Sequence, residues 1–315
     1  MSRSMGTGIA NGVAAGALWG LVFLAPAVLL SFSAVQLSAG RYLVYGAIAL
    51  LLLWPRRRNL LPRLGMADWR GLMGLSLTGN LVYFLLLASA VQWAGGAAAS
   101  LIVGLVPVVV TLVGSRDAGA VPLRRLAPSL LLCLAGVGLV GYEALASDSL
   151  STPWSERVLG LACAIGALLS WTAYSVGNSR WLDRRADLSA HDWSLLIGVV
   201  TGALALLLVP TAFVLDDTPH PPMQWGLFWG VSAAVAVLAS VIGNACWNRA
   251  SRLLPLTMTA QMIVFETLFA LMYGFAWLRR WPTLLEWIAI ACLIAGVLSC
   301  AHAHRTPPAV TQHAG

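Results

Sequence analysis

The chain has 315 residues, of which 59% are hydrophobic and only 10% charged, whereas a soluble domain carries roughly 25% charged residues. This composition excludes an ordinary water-soluble protein. The net charge of +7 comes from 19 Arg and no Lys against 12 acidic residues. In so apolar a chain the excess of Arg indicates membrane topology rather than nucleic-acid binding, and no nucleic-acid partner is expected.

Ten apolar runs follow one another along the chain, separated by turn or charge clusters. Each run is long enough to cross a hydrocarbon core about 30 Å thick as a helix, and backbone groups in lipid must be satisfied within the segment. We therefore predict an all-α integral membrane protein with ten transmembrane helices in the lipid bilayer. The runs cover residues 8–31, 35–54, 69–92, 95–114, 126–145, 158–179, 193–214, 224–247, 256–278 and 284–301.

The distribution of Arg between the runs predicts the orientation. Fifteen of the 19 Arg, including the triplet 56–58, lie in segments that are cytoplasmic if the N-terminus is cytoplasmic. Only Arg157, Arg279 and Arg280 would lie outside, and Arg41 lies within the second run. The positive-inside rule thus places both termini in the cytoplasm, N-in and C-in. We expect a multi-pass protein of the bacterial inner membrane.

The two halves of the chain resemble each other in three segments that occur in the same order. The matched pairs are AAGALWG (14–20) with IGALLSW (165–171), AIALLLLWP (47–55) with ALALLLVP (203–210), and SLIVGLVP (100–107) with AQMIVFET (260–267). In the first pair Trp19 lies opposite Trp171. Five helices per half is an odd number, so the halves would cross the membrane in opposite senses as an inverted repeat.

Such a repeat predicts a domain division and the location of a site. We expect a first five-helix repeat over 1–147, a second over 148–305 and a cytoplasmic tail over 306–315. Inverted repeats usually place the substrate site near the bilayer midplane between the halves, where it is reached alternately from each side.

Several of these features resemble the EamA branch of the drug/metabolite transporter superfamily. They are A-L-W-G at 17–20, Arg41 early in the second helix, Pro107 late in the fourth, and F-E-T at 265–267. Within that branch the chain is most similar to the YddG-type aromatic amino-acid exporters. The resemblance implies two inverted halves around a central cavity, and it implies export. The second half of the family commonly reads Glu-Pro in its fourth helix, whereas here Glu266 precedes Thr267.

Polar residues inside the apolar runs are the candidate site, because polar groups in lipid usually face a bundle interior or a watery cavity. Glu266 lies near the midplane and suits proton coupling, recognition of a substrate ammonium group, or a structural bond to a neighbouring helix. Arg41 could meet a substrate carboxylate, pair with an acid, or extend outward to the membrane surface. Glu143 and Glu286, near the outer ends of their runs, are expected to be solvated at the interface.

Residues three and four apart share a helix face, and this spacing groups aromatic and amide side chains on the third, sixth and eighth helices. Aromatic walls with amide groups suit an amphipathic, aromatic solute. The predicted substrate-binding residues are Trp19, Asn80, Tyr83, Ser100, Trp171, Tyr174, Asn178, Asn244, Trp247, Gln261 and Glu266. Pro26 and Pro107, within helices, are predicted to loosen them for gating.

The sequence thus favours an exporter of amino acids, aromatic ones above all, and of related metabolites by alternating access. It has a small-molecule substrate and needs no cofactor or metal, and we expect a monomer. One alternative is a broad exporter of drugs or nucleosides. A membrane-embedded enzyme or a lipid-handling protein is a further alternative, but Glu266 is the one ionisable group near the midplane, so no catalytic cluster is indicated.

Overall fold

The computed structural model describes residues 3–114, 123–146, 153–214, 218–254 and 256–305. Throughout these residues the regular structure is helical, without a strand. Six helices are long and apolar enough to cross a membrane by length and composition, and four further apolar helices are shorter. The all-helical prediction is confirmed for the described residues. The count of ten membrane crossings and their directions stay predictions.

The helices coincide with the ten apolar runs to within several residues. We number them in chain order as α1 (Arg3–Val28), α2 (Ala34–Leu53), α3 (Met66–Ala94), α4 (Gly96–Val103 followed by Val106–Gly114), α5 (Leu123–Ala146), α6 (Trp154–Arg184), α7 (Ala190–Ala205), α8 (Pro222–Leu253), α9 (Leu256–Leu278) and α10 (Leu284–Arg305). Short helical turns between Trp54 and Arg63 connect α2 to α3.

Polar residues at the helix starts explain where several helices begin. The Ser33 hydroxyl accepts a hydrogen bond from the Gln36 backbone N–H at 3.2 Å, and Gln36 Oε1 accepts from the Ser33 N–H at 2.9 Å. Ser189 starts α7 in the same way by accepting from the Asp192 N–H at 3.0 Å. These caps satisfy backbone donors that a helix start leaves free, so each loop ends at a defined residue.

The helix contacts follow a rule that relates the two halves of the chain. Helix α1 packs against α8 and α9, whereas α6 packs against α3 and α4. Helix α2 packs against α7, and α5 packs against α10. If each helix of the first half is exchanged with the helix five places later, the same set of contacts results. The contacts of α1 then become those of α6, and the α2–α7 and α5–α10 contacts become themselves. The described helices are therefore arranged with a pseudo-twofold relation, as a pair of repeats requires.

Glycines allow the closest helix approaches. A Cβ atom at Gly46 of α2 would collide with the Cα atom of Gly202 in α7, and the reverse substitution would place a Cβ 2.5 Å from Gly46 Cα. Along α1, a Cβ at Gly16 would lie 2.8 Å from the Glu266 backbone N, and one at Gly20 would lie 2.9 Å from the Ala270 backbone N. Small residues bring backbones together in membrane helices, and here they hold α1 against α9.

Three stretches of the described residues form wider, π-helical turns; one, Pro210–Val214, follows α7, and the other two lie within α3 and α8. Residues Leu77–Leu81 form such a turn in α3, and residues Ala236–Gly243 form a longer one in α8. The two helices are counterparts under the exchange of halves. Such distortions are rare and frequently occur at functional sites, so their paired occurrence directs attention to the space between α3 and α8.

At one end of the bundle, ion pairs join the two halves. Arg56 donates to Asp192 Oδ1 at 2.6 Å, and Arg63 donates to Asp187 at 3.0 Å. Arg185 pairs with Asp68 at 2.5 Å and with Asp187 at 2.8 Å. We call these residues the ion-pair cluster. Hydrogen bonding to the Arg185 guanidinium lowers the pKa of the Asp187 carboxyl from 3.8 to about 2, so this carboxylate is charged at neutral pH.

At the opposite end, Glu286 corrects an expectation. The sequence suggests that this side chain is solvated at the interface, but it is buried, and it accepts hydrogen bonds from both terminal nitrogens of Arg280 at 2.6 Å. It also accepts from the Thr283 backbone N–H at 2.8 Å, which starts α10. The Thr283 hydroxyl in turn donates to Glu143 Oε1 at 2.5 Å and so connects α10 with α5. Paired hydrogen bonds replace the water that the sequence suggests.

Candidate functional site

A small cavity lies in the centre of the bundle, between the two halves. Its volume is about 20 Å³, which is room for about one water molecule. Five helices besides α1 contribute to it, and three of the six belong to each half. The lining residues are Trp19, Val22, Arg41, Gly79, Asn80, Tyr83, Trp171, Asn244 and Glu266. We call this space the central cavity.

A row of four aromatic rings forms much of its wall, and the row obeys the pseudo-twofold relation. Trp19 of α1 and Trp171 of α6 meet edge to face with ring centroids 5.4 Å apart. Tyr83 of α3 packs on Trp171 at 4.9 Å, and Trp247 of α8 packs on Trp19 at 5.0 Å. Each outer ring lies three residues after an Asn that lines the cavity. Such a wall suits flat, aromatic parts of a ligand.

A Gly-Asn pair in the π-helical region of each of α3 and α8 explains how these rings fit. A Cβ at Gly79 would collide with the ring of Tyr174, and one at Gly243 would lie 2.9 Å from Trp19 Nε1. The next residues, Asn80 and Asn244, both line the central cavity. The glycine thus makes room for a ring from the neighbouring helix, and the following amide supplies hydrogen-bonding groups beside it.

The two central tryptophans differ in their hydrogen bonds. Trp19 Nε1 donates to the carbonyl oxygen of Ala239 at 3.0 Å, within the π-helical stretch of α8. Trp171 Nε1 is buried and has no hydrogen-bond partner. Buried polar groups are almost always hydrogen-bonded, so an unpaired N–H in the cavity wall indicates a donor available to a ligand.

Arg41 is a buried cation in this wall. Only 7% of its surface is exposed, so it does not extend to the membrane surface. Its Nε and Nη2 donate to Ser240 Oγ at 3.3 and 3.1 Å, and its guanidinium lies over the Phe84 ring, 4.4 Å from the centroid. These contacts leave Nη1 buried without a partner.

Glu266 is the acidic residue of the cavity. Its exposure is 4%, and its Oε2 atom is buried without a hydrogen-bond partner. Arg41 and Glu266 line the same cavity, yet the ion pairs of the described residues do not include one between them. Unpaired buried charges are costly, so this arrangement is typical of a binding site rather than of a packing core.

The central cavity brings together six of the residues predicted from the sequence. They are Trp19, Asn80, Tyr83, Trp171, Asn244 and Glu266. Trp247 and Tyr174 lie one ring further out, since Trp247 packs on Trp19 and Tyr174 on Trp171. These eight residues form one continuous group around the aromatic row.

The remaining predicted residues lie elsewhere or outside the described residues. Asn178 accepts a hydrogen bond from Trp193 Nε1 at 3.2 Å and so joins α6 to α7. The Ser100 hydroxyl donates to the Ala97 carbonyl within α4. Pro26 lies in the last turn of α1. The side chains of Pro107 and Gln261 are not among those that the structure describes.

Three lining residues, Val22, Gly79 and Arg41, are absent from the set of binding residues predicted from the sequence. For Arg41 the sequence leaves a structural role open, because a lone Arg near a helix end has several possible partners. The Gly-Asn dipeptide marks Gly79 only in part, because it occurs at 79–80, 177–178 and 243–244, and Asn178 of the second pair bonds to Trp193 instead of lining the cavity. The described residues contain no cluster of three His, Cys, Asp or Glu.

A larger cavity of about 600 Å³ lies next to the central one. Its lining includes Phe23 of α1 and Ala270 of α9, each four residues, or one helical turn, beyond Trp19 and Glu266 of the central cavity. Gln92 of α3 also contributes. This second cavity lies toward the ends of α1, α3 and α9 opposite to the ion-pair cluster. The bundle is therefore more open on one side of the central cavity than on the other.

The model of the EamA-like transporter family matches the chain twice, over residues 6–142 and 158–300. The chain belongs to the EamA-like transporter family. The two matches correspond to the two halves that the helix contacts relate. The chain is also 33% identical over 312 residues to "Inner membrane protein YtfF" of Escherichia coli (strain K12), covering 96% of this chain and 97% of that protein.

A solved structure, described only as "Crystal structure of protein", has the same fold. It is 20% identical, covers 97% of this chain and 100% of that chain, and superimposes with a TM-score of 0.66. That structure shows the fold alone, whereas the family and the YtfF relative place the chain in the inner membrane as a multi-span transporter with a small-molecule substrate.

Proposed function

We propose that this EamA-like transporter exports amino acids, with aromatic ones favoured, by alternating access around the central cavity. The observation that carries the proposal is the aromatic row with the unpaired Trp171 Nε1 in a cavity between the halves. Aromatic walls with a few polar groups bind flat, amphipathic solutes. The relation of the two halves supports ten helices in two repeats, and the distribution of Arg supports N-in, C-in topology.

Alternating access is supported by a difference between the two ends of the bundle, one of which is closed and the other more open. The ion-pair cluster joins the halves at the end that the Arg distribution assigns to the cytoplasm. The larger cavity lies at the other end. Because the central cavity is the size of a water molecule, a larger solute enters only when the rings around it separate. Rocking of one half against the other produces such a separation.

The second candidate is a broad exporter of drugs or nucleosides. It is favoured by the same aromatic row, because every nucleobase and many drugs present a flat ring that stacks on Trp or Tyr. An enzymatic function has no comparable support. Among the described residues that line the central cavity there is no nucleophile with a general base beside it, and the described residues contain no metal-binding cluster.

The test is uptake of labelled tryptophan, phenylalanine, alanine and uridine into liposomes containing the purified protein. We expect the aromatic amino acids to be fastest, and we expect Trp171→Ala and Asn244→Ala to lower their uptake at least about tenfold. Trp154→Ala is the matched control, because Trp154 is 65% exposed at the start of α6. Faster uptake of uridine than of any amino acid would favour the second candidate, and uptake of none would contradict both.

A further inference from the structure

We propose that Arg41 and Glu266 bind the two charged ends of a zwitterionic substrate, the carboxylate at Arg41 Nη1 and the ammonium group at Glu266 Oε2. We call this pair the zwitterion clamp. The inference rests on the proposed function, because it specifies which part of an amino acid the central cavity recognises. It concerns the main-chain end of the substrate, which every α-amino acid shares, whereas the aromatic row concerns the side chain.

The first observation is the fixed position of the Arg41 guanidinium. Ser240 accepts from two of its three nitrogens, and the Phe84 ring lies against its face at 4.4 Å. Both contacts come from other helices, since Ser240 is in α8 and Phe84 in α3. The one nitrogen that remains, Nη1, is buried and unpaired in a residue that lines the cavity. A carboxylate is the preferred partner of such a donor.

The second observation is the equally fixed position of Glu266. Its backbone is held against α1 where Gly16 has no side chain, so that a Cβ there would lie 2.8 Å from Glu266 N. Its neighbour Thr267 is 2% exposed, so the segment is packed on both sides. The buried Oε2 atom has no donor from the protein. A primary ammonium group, with three N–H donors, fits this acceptor.

The third observation is that Arg41 and Glu266 line one cavity while Arg41 Nη1 and Glu266 Oε2 both lack a partner. Burying an unpaired charge is unfavourable for either residue alone, and a direct ion pair would remove the cost. A ligand that carries a carboxylate and an ammonium group removes the cost for both residues at once. A zwitterion places its carboxylate at the Arg41 guanidinium and its ammonium group at the Glu266 carboxyl, so the loaded complex leaves neither group without a partner in the low-dielectric interior.

The zwitterion clamp predicts a selectivity for compounds that carry both a carboxylate and an ammonium group, which the aromatic row alone does not predict. Tryptamine has the ring and the ammonium group but no carboxylate, and it would leave Arg41 unpaired. Indole-3-propionate has the ring and the carboxylate, and it would leave Glu266 unpaired. Both compounds would therefore be poor substrates of the wild-type protein. A site that recognises the indole ring alone would accept all three compounds to a similar degree.

The experiment is uptake of labelled tryptophan, tryptamine and indole-3-propionate into liposomes containing wild type, Arg41→Gln or Glu266→Gln. We expect both variants to lower tryptophan uptake at least about tenfold, as for loss of a charge-assisted hydrogen bond. We expect Arg41→Gln to shift the ratio of uptake toward tryptamine, and Glu266→Gln to shift it toward indole-3-propionate. A variant that is merely misfolded would take up all three compounds more slowly, and the ratios between their uptake rates would stay unchanged.

Two further variants keep the test decisive. Arg279→Gln removes an exposed loop Arg and should leave every rate unchanged. The double variant Arg41→Gln/Glu266→Gln removes both charges, so no buried charge remains unpaired, and it should take up neutral tryptophol better than tryptophan. Unchanged ligand ratios in all cavity variants, with tryptophan still transported by wild type, would overturn the clamp and leave the proposed function intact. Absence of amino-acid uptake by wild type would overturn the proposed function, and the clamp with it.

Discussion

At the scale of single residues, the two central tryptophans are sequence counterparts with different chemical environments. Trp19 Nε1 donates to the Ala239 carbonyl, whereas Trp171 Nε1 has no protein partner. Two tryptophans at equivalent positions of the repeat therefore differ in what their indole N–H groups bind. One indole N–H connects α1 to α8, and the other is available to the central cavity.

This difference predicts different effects of the same substitution. Trp19→Phe removes a buried hydrogen bond and leaves the Ala239 carbonyl without its donor, which should lower the free energy of unfolding by about 1 kcal/mol or more. Trp171→Phe loses similar ring packing but no hydrogen bond within the protein, so it should lower stability less than Trp19→Phe, while tryptophan uptake falls more. Thermal unfolding of the detergent-solubilised protein, measured beside uptake, distinguishes the two. Equal loss of stability in both variants would contradict the assignment.

The sequence identifies the aromatic part of the site well but not all of its polar part. Trp19 and Trp171 are recognisable because they occupy equivalent places in a repeat, and a repeat fixes spatial relations between distant segments. Helical spacing alone assigns a residue to a face but does not say what covers that face. For this reason Asn178 and Ser100, which bond to Trp193 and to the Ala97 carbonyl, could not be separated from Asn80 and Asn244.

Arg41 illustrates the same limit for a charged side chain. Its depth in the second run allows it either to extend to the membrane surface or to stay buried. Which of these occurs depends on Ser240, almost 200 positions further along the chain, and on Phe84. No local pattern encodes that contact.

At the scale of helices, composition predicts the positions of the apolar segments, because length and hydropathy are properties of a single segment. The π-helical turns in α3 and α8 could not be predicted, since they depend on rings that fill the space beside Gly79 and Gly243. The break of α4 at Gly104 and Leu105 is likewise not apparent from a continuous apolar run.

The crossing of α2 and α7 supports a prediction about helix packing. In Gly46→Ala the added methyl group would meet the backbone of Gly202, and overpacking of this kind costs about 1–3 kcal/mol. Gly230→Ala in α8 is the matched control, because a Cβ there has no atom within 4 Å. We expect a lower midpoint of thermal unfolding for Gly46→Ala and an unchanged or slightly higher one for Gly230→Ala. A similar midpoint in both would show that the crossing tolerates more separation than the contacts indicate.

At the scale of the whole molecule, the pseudo-twofold scaffold carries an asymmetric distribution of charge. The first half provides the basic residue Arg41 and the second half provides the acidic residue Glu266, while the two halves contribute equal numbers of rings to the aromatic row and of amides to the cavity. The ion-pair cluster adds a further asymmetry between the two ends of the bundle. Related halves thus form a transporter whose two sides differ.

The ion-pair cluster predicts how the association of the halves depends on pH. Because the pKa of Asp187 is lowered to about 2 in the folded protein from 3.8, its carboxylate stabilises the fold above the unfolded pKa. That contribution is lost as the pH falls through the interval from about 4 to 2. The stability difference between wild type and Asp187→Asn should therefore be constant from pH 8 to pH 5 and vanish at lower pH.

The measurement is thermal unfolding of both proteins across this range of pH. Arg279→Gln is a control that leaves the cluster intact. A difference that changes between pH 8 and pH 5 would contradict the prediction. Any pH dependence of transport near neutrality must then originate in groups other than Asp187.

The contact between Gly46 and Gly202 has a mechanical consequence. Most packed helices interlock through side chains, so tilting one against the other forces rotamer changes along the contact. At this crossing backbone faces backbone, and no side chain of either residue projects into the other helix. At the glycines themselves a change of the angle between α2 and α7 meets no side chain, whereas close by Tyr45 packs against Gly198 and donates to the Ser194 carbonyl at 3.2 Å. The resistance to such a change then lies beside the crossing, in the contacts that Tyr45 and Ala49 make with α7, and breaking the Tyr45 hydrogen bond would be its first cost.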